Sequence, residues 1–108
     1  MLIHQFDNNL NSEEYHTKEF HQAVEDHLTF LIKRIQSQLT VSKQQSYKFE
    51  GDYYGLLSEI GIDKIYHYTI MRVNGYTSSN QYLGDKEYVD MVDTNLIDQI
   101  VTLIESKK

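Results

Sequence analysis

Cysteine, proline and tryptophan are absent from the 108 residues of this sequence. Without cysteine, the chain has no disulfide, no thiol nucleophile and no thiolate zinc site. Without proline or a low-complexity stretch, no internal linker is marked, and the length is typical of one domain, residues 1–108. The five glycines are isolated, which excludes a glycine-rich loop of the kind that holds phosphate groups.

Basic residues are also scarce. Ten of them stand against sixteen acidic residues, and the resulting formal charge of −6 repels nucleic-acid phosphates. The largest internal basic cluster is Lys33-Arg34, so we expect no nucleic-acid partner. The first residues, MLIHQFDNNL, lack the parts of a secretion signal, and no apolar run approaches the roughly 20 residues that cross a bilayer. We therefore expect synthesis in the cytoplasm, no signal peptide and no membrane association.

The N-terminal part of the chain predicts a short arm followed by a long helix. Residues 1–10 form the arm, and Asn11 with Glu14 matches a capping box at the start of a helix over residues 11–39. Apolar residues within this range recur three or four positions apart, as they do along one face of a helix. This stripe consists of Phe20, Val24, Leu28, Leu31, Ile35 and Leu39. It either covers the core of its own domain or serves as an interface helix that packs on another copy or a partner.

Two other segments have simpler patterns. Residues 40–50, TVSKQQSYKFE, alternate weakly and contain residue types that suit a strand. The last block, DTNLIDQIVTLIESKK, predicts a C-terminal helix over residues 94–108 that is capped by Asp93 or Thr94. The predicted buried face of this helix consists of Ile97, Ile100, Val101 and Ile104.

Residues 62–82 allow two interpretations. Asn74-Gly75 is a common two-residue hairpin turn, but the far side, YTSSNQYLGD, is polar and lacks a period of two. Ile62, Tyr66, Ile70 and Val73 are instead spaced as on a helix, which Asn74-Gly75 would end. We therefore predict two short helices that are separated by Gly61. A polar loop follows the second helix and leads to a strand at EYVDMVD.

This order of elements resembles a LysM domain over residues 47–93. YKFEGDYYGLLSEIGI looks like its first strand, Gly-Asp pair and first helix, and MRVNGYTSSNQYLGDKEYVDMVD looks like its second helix, loop and second strand. The resemblance implies an α+β fold with a small β-α-α-β core between the long helix and the C-terminal helix. Two departures, Tyr53-Tyr54 after Gly-Asp and a final strand without proline, fall where a glycan would touch. The segment YHYTIMRVNGYTSS resembles the LysM-like modules that have structural roles in phage tails and baseplate wedges more than it resembles glycan-binding LysM domains.

The same resemblance implies a pair of contact loops. In LysM domains that bind N-acetylglucosamine polymers, the two corresponding loops lie side by side, and here they would contact a glycan or a partner. The loop residues are Gly51, Asp52, Tyr53, Tyr54, Asn74, Gly75, Tyr76, Thr77 and Ser78. The alternative is that Asp52 and Asn74 cap helices and that the tyrosines serve packing or a protein interface.

No pattern predicts catalysis, a metal or a cofactor. His16 and His21 would lie about 140° apart on one helix, and the single Glu-X-X-His spacing lacks the second copy that di-iron bundles need. Ser78-Ser79 has no nucleophile elbow, and the acidic run from Asp85 to Asp90 has nothing to desolvate one carboxylate. We therefore expect a protein that is not an enzyme.

Three functions follow as expectations. The first is a structural or assembly protein, a phage tail or baseplate component that acts through contacts with other virion proteins or with itself as a homo-oligomer. The second is a peptidoglycan-binding module of the LysM type. The third is an acidic intracellular regulator that binds a basic partner.

Overall fold

The structure, a computed structural model, describes residues 15–106. The elements alternate between short helices and two short strands. In chain order they are α1 (Lys18–Asp26), α2 (Leu28–Ile32), β1 (Ser37–Thr40), α3 (Lys43–Lys48), α4 (Tyr53–Glu59), a 3₁₀ turn (Lys64–Tyr66), α5 (His67–Val73), a second 3₁₀ turn (Ser79–Gln81), β2 (Tyr88–Met91) and α6 (Thr94–Ser106). The predicted α+β class is confirmed, whereas the predicted arm 1–10 lies outside the described residues.

The prediction of one long helix over residues 11–39 is wrong. The predicted cap at Asn11 lies outside the described residues, and α1 instead begins after Thr17, whose side chain accepts a hydrogen bond from the Phe20 N–H. The helix breaks at His27, where the backbone N–H and the imidazole Nδ1 both donate to the Ala23 carbonyl. After α2 the chain extends into β1, so the apolar spacing spans three elements.

The residues of the stripe mostly enter the core of the same chain. Phe20, Val24 and Leu31 are fully buried, and Leu28 and Ile35 pack partly against them. Leu39 lies on β1 instead of a helix and is 37% exposed. Two short helices preserve the three- and four-residue spacing as well as one long helix would, which is why the periodicity alone was misleading.

The strand predicted at residues 40–50 is also wrong. Residues 43–48 form α3, which begins with a capping box between Ser42 and Gln45, each donating its backbone N–H to the other's side chain. The strand precedes it, and β1 pairs antiparallel with β2, with Ser37 opposite Met91 and Thr40 opposite Tyr88. The first strand therefore lies before residue 47, where the LysM resemblance begins.

The helical interpretation is confirmed for residues 64–73, and the hairpin interpretation is wrong. The 3₁₀ turn runs directly into α5, which ends at Val73 with Asn74 as its C-cap. Gly75 and Gly61 both have positive φ, 94° and 92°, a conformation that glycine adopts without the steric cost of a side chain. The strand predicted at EYVDMVD is present as β2.

The C-terminal helix is confirmed as α6 over its described length. Ile97, Ile100 and Val101 are buried against the rest of the core, and Ile104 is partly buried. The Asp93 carboxylate accepts a hydrogen bond from the Asn95 N–H at 2.9 Å, which caps the first turn as predicted. Helices α1 and α6 pack together, so the two ends of the described chain share one core.

An ion pair joins α1 to α5. Arg72 donates from Nε to Glu25 Oε2 at 2.6 Å and from Nη2 to Oε1 at 2.9 Å, and the Tyr68 hydroxyl donates to the same carboxylate at 2.7 Å. These hydrogen bonds, from Arg72 above all, lower the pKa of Glu25 below its usual value. The pair is half-buried, so its contribution is reduced by solvent screening.

Replacing Arg72 with methionine should lower the free energy of unfolding by about 1–2 kcal/mol near neutral pH. A carboxyl group with a depressed folded-state pKa stabilises the fold above its unfolded value and loses that contribution as the pH falls through the folded value. The difference between Arg72→Met and the natural chain should therefore shrink below about pH 4.3. Urea unfolding across this pH range measures it, with Arg34→Met as the control. A difference that stays constant down to about pH 2 would contradict the assignment.

Candidate functional site

The two predicted contact loops, residues 51–54 and 74–78, lie next to each other. The Gly51 N–H donates to the Tyr82 carbonyl at 2.7 Å, and the Tyr54 N–H donates to Ser79 Oγ at 2.9 Å. The rings of Tyr53 and Tyr76 are 4.8 Å apart. The Tyr53–Tyr76 ring contact thus joins the two loops directly, and the hydrogen bonds attach the first loop to Ser79 and Tyr82, just beyond the second.

Tyrosines fill the space between these loops. Tyr53 is only 2% exposed and packs against Tyr76 and Tyr82, whose own rings meet edge to face at 5.8 Å. Burial raises the pKa of Tyr53 and, to a smaller degree, that of Tyr76. The Tyr82 hydroxyl hydrogen-bonds to Ser46 Oγ and donates to the Lys86 carbonyl. The ring of Tyr53 therefore has no exposed face on which a sugar could stack.

The space that remains beside the tyrosines is small. A cavity of about 50 Å³ is lined by Tyr53, Asn74, Tyr76, Lys86, Tyr88 and Asp90. Small-molecule sites usually have volumes of about 300–1,000 Å³. This cavity could hold a water molecule but not a sugar unit.

The polar members of the two loops have structural partners. Asp52 caps α4 by accepting a hydrogen bond from the Gly55 N–H at 3.0 Å. The Asn74 side chain donates to the carbonyls of Ile70 and Asp90 and accepts from the Asp90 N–H at 2.8 Å. Gly51, Gly75 and Thr77 are exposed, and Ser78 is half-buried with its hydroxyl on Asn80.

A larger depression lies on another part of the surface, between α1, α4 and α5. It has a volume of about 430 Å³, and we call it the histidine cleft. Its walls are aromatic and imidazole rings with one serine and one lysine. The lining residues are Tyr15, His16, His21, Tyr54, Gly55, Ser58, Lys64, His67 and Tyr68.

Ring stacking and hydrogen bonds fix the walls of the histidine cleft. The imidazole of His21 stacks on Tyr68 with 3.8 Å between centroids and 17° between planes. His67 is buried, its Nε2 donates to the Ile62 carbonyl at 2.8 Å, and its ring lies 5.4 Å from that of Tyr54. Burial lowers the pKa of His21 and of His67, and the proximity of His16 lowers both further. His21 and His67 are therefore mostly neutral at neutral pH.

No sequence pattern predicts this cleft. The predicted helix contained both His16 and His21, but His16 precedes the first residue of α1, so the helical angle between them does not apply. His67 and Lys64 come from a part of the chain beyond α4. Only the packing of α1 against α5 brings these side chains together. Within residues 15–106, no three histidine or acidic side chains are grouped so that they could hold a metal ion.

Exposed apolar side chains lie on α2 and on β1. Phe30 is 43% exposed, Ile32 is 44% exposed, and Leu39 lies a few residues further on at the surface. All four residues of β1 are exposed, and within the described chain β2 is its one neighbouring strand. The outer edge of β1 is therefore open.

Comparison with protein-family models, with curated proteins and with solved structures found no match. Within residues 15–106, none of the helices combines the length and the apolar character needed to cross a bilayer. Functional inference therefore rests on the surfaces themselves.

Proposed function

We propose that this chain is a non-enzymatic assembly protein that acts through protein–protein contacts, with copies of itself and with other virion proteins. The observation that carries the proposal is the exposed part of residues 30–40, which excludes the core residues Leu31 and Ile35. It combines an open strand edge with apolar side chains that the chain's own core leaves uncovered, Phe30, Ile32 and Leu39. Apolar and aromatic side chains of this kind are enriched at protein interfaces.

The chemistry of β1 supports strand pairing at its outer edge. Native edge strands are usually protected by charged residues, proline or a covering element. Residues 37–40, SQLT, carry no charge and no proline, and no element of the described chain covers their outer edge. An incoming strand would hydrogen-bond to the free backbone groups, and burial of Leu39 on the same strand would stabilise the pair.

The setting we propose is the tail or baseplate of a bacteriophage. The antiparallel pairing of β1 with β2, with α4 and α5 between them in the chain, is compatible with the β-α-α-β core of a LysM-like module, although α3 is an addition. The buried ring of Tyr53 and the small cavity beside it favour the structural kind of module over the glycan-binding kind.

Leu39→Lys tests the contact surface. The natural chain should self-associate in sedimentation velocity, and the added charge on the strand should weaken association by at least about tenfold, equivalent to about 1.4 kcal/mol. Leu83→Lys is the matched control, because Leu83 is 69% exposed and lies outside β1. A natural chain that stays monomeric at about 1 mM, or equal association of the two variants, would contradict the proposed surface.

The phage setting has a separate test. Tail proteins are encoded beside one another, so the genes next to this one should encode other tail components. If they encode no virion protein, the phage-tail proposal is wrong. The proposed contact surface is tested separately by the sedimentation measurements.

A further inference from the structure

We propose that the histidine cleft is a binding site for a small molecule that carries an oxyanion group and an aromatic or other flat ring. The cleft is distinct from residues 30–40, so this inference is independent of the proposed assembly surface. It rests on the size of the cleft, on the unused hydrogen-bond donors in it and on the sign of the charges around it.

The cleft has the dimensions of a ligand site. Its volume of about 430 Å³ falls within the usual range of about 300–1,000 Å³ for small-molecule pockets, whereas the cavity between the two loops does not. The stacked pair His21–Tyr68 forms a rigid aromatic wall, and Tyr54 with His67 forms another. A flat ring can pack against such walls by stacking.

Several donors in the cleft have no partner within the described chain. The Tyr54 hydroxyl, the Ser58 hydroxyl, the Lys64 ammonium and the His16 imidazole make no side-chain hydrogen bond to any of residues 15–106. In contrast, the Tyr68 hydroxyl is used by Glu25, and His67 Nε2 is used by the Ile62 carbonyl. The unused groups are those that a ligand could reach.

The charge and type of the side chains that line the cleft favour an anionic ligand. No carboxylate belongs to the described lining of the cleft, while one lysine and three histidines do. Lysine and protonated histidine donate charge-assisted hydrogen bonds to carboxylate, sulfate and phosphate oxygens. In a chain with a formal charge of −6, a lining with one lysine, three imidazoles that can take up protons and no carboxylate favours an anion at this position.

Acidic pH should strengthen binding. His21 faces Glu25, His16 and the Tyr68 ring, and His67 faces Asp63, Lys64, His16 and the Tyr54 ring. Burial disfavours the protonated imidazoles in the free protein, and a bound anion favours them. By linkage, affinity for the anion rises as the pH falls through the range in which these histidines take up protons.

The experiment uses two probes that do not change charge in this pH range, sulfate and phenyl sulfate. Each is titrated into the full chain while the imidazole Cε1–H signals are followed by NMR. We expect the His16, His21 and His67 signals to move, sulfate to bind about three- to tenfold more tightly at about pH 5.5 than at about pH 7.5, and phenyl sulfate to bind more tightly than sulfate. His27, which does not line the cleft, is the internal control.

Matched variants test which residues contact the oxyanion group of the ligand and which contact its ring. Lys64→Met should weaken both probes, whereas Lys33→Met, at another exposed lysine, should weaken neither. Tyr54→Leu should remove the advantage of phenyl sulfate over sulfate, and Tyr54→Phe should retain it. Equal responses of Lys64→Met and Lys33→Met, or a His27 shift as large as that of His21, would show an adventitious ion only and would overturn the proposal.

Discussion

Asn74→Ala is expected to lower the free energy of unfolding by about 2–4 kcal/mol, because it leaves two backbone groups of one strand without partners. The Asn74 side chain donates to the Asp90 carbonyl at 3.0 Å and accepts from the Asp90 N–H at 2.8 Å, as a neighbouring strand would. It also donates to the Ile70 carbonyl at 2.7 Å at the end of α5. One side chain therefore connects the last turn of α5 to β2.

Asn95→Ala is the matched control, since Asn95 is exposed in the first turn of α6. It should change the free energy of unfolding by less than about 0.5 kcal/mol. Asn74→Asp is informative too, because it retains the acceptor for the Asp90 N–H but removes both donated bonds and adds a charge. Urea unfolding at neutral pH measures all three. An effect of Asn74→Ala no larger than that of Asn95→Ala would contradict this account.

The second large effect is expected at Gly84. Its φ of 72° is unfavourable for a residue with a side chain, and an added Cβ would lie 3.0 Å from the Ser46 carbonyl oxygen and 3.1 Å from Glu50 Cβ. The unfavourable backbone conformation costs about 1–2 kcal/mol, and the crowding of the added Cβ costs about 1–3 kcal/mol more. Gly84→Ala should therefore destabilise the protein by about 2–5 kcal/mol.

Gly61→Ala separates the two contributions. Gly61 also has positive φ, 92°, but a Cβ there would meet nothing within 4 Å. Its substitution should cost only the conformational part, about 1–2 kcal/mol. Thermal or urea unfolding of the pair gives the cost of crowding as a difference. Equal destabilisation would mean that the segment around Gly84 moves away from α3 without cost.

Local patterns predicted some elements well. Helix α5 was predicted because its apolar residues are spaced three and four apart up to Asn74-Gly75, and α6 was predicted because a capping residue precedes a strongly periodic run. In each case the information lies within one segment of sequence. The alternative role of Asp52 as a helix cap is likewise predictable from local sequence, because the cap and the N–H that it accepts from are three residues apart.

Features that depend on distant partners were not predictable. The break at His27 leaves the periodicity of the stripe intact, and the strand partner of Gln38 is Asp90, far along the chain. Tyr53 was expected in a contact loop, and only the packing of Tyr76 and Tyr82 decides that its ring is covered. The histidine cleft depends in the same way on the packing of α1 against α5. The capping box at Ser42 and Gln45 is, in contrast, a local pattern that indicates the start of α3 more strongly than the weak alternation of residues 40–50 indicates a strand.

The amide of Asn74 sits on the side of β2 that faces away from β1, because backbone groups alternate between the two sides of an antiparallel strand. Asn74 therefore occupies the outward-facing backbone groups of Asp90, which a further strand on this side of β2 would need. If two copies pair through β1 as proposed, the outer strands of the pair are the two β2 strands, each obstructed at Asp90. This obstruction opposes the addition of a third copy and so the growth of fibres.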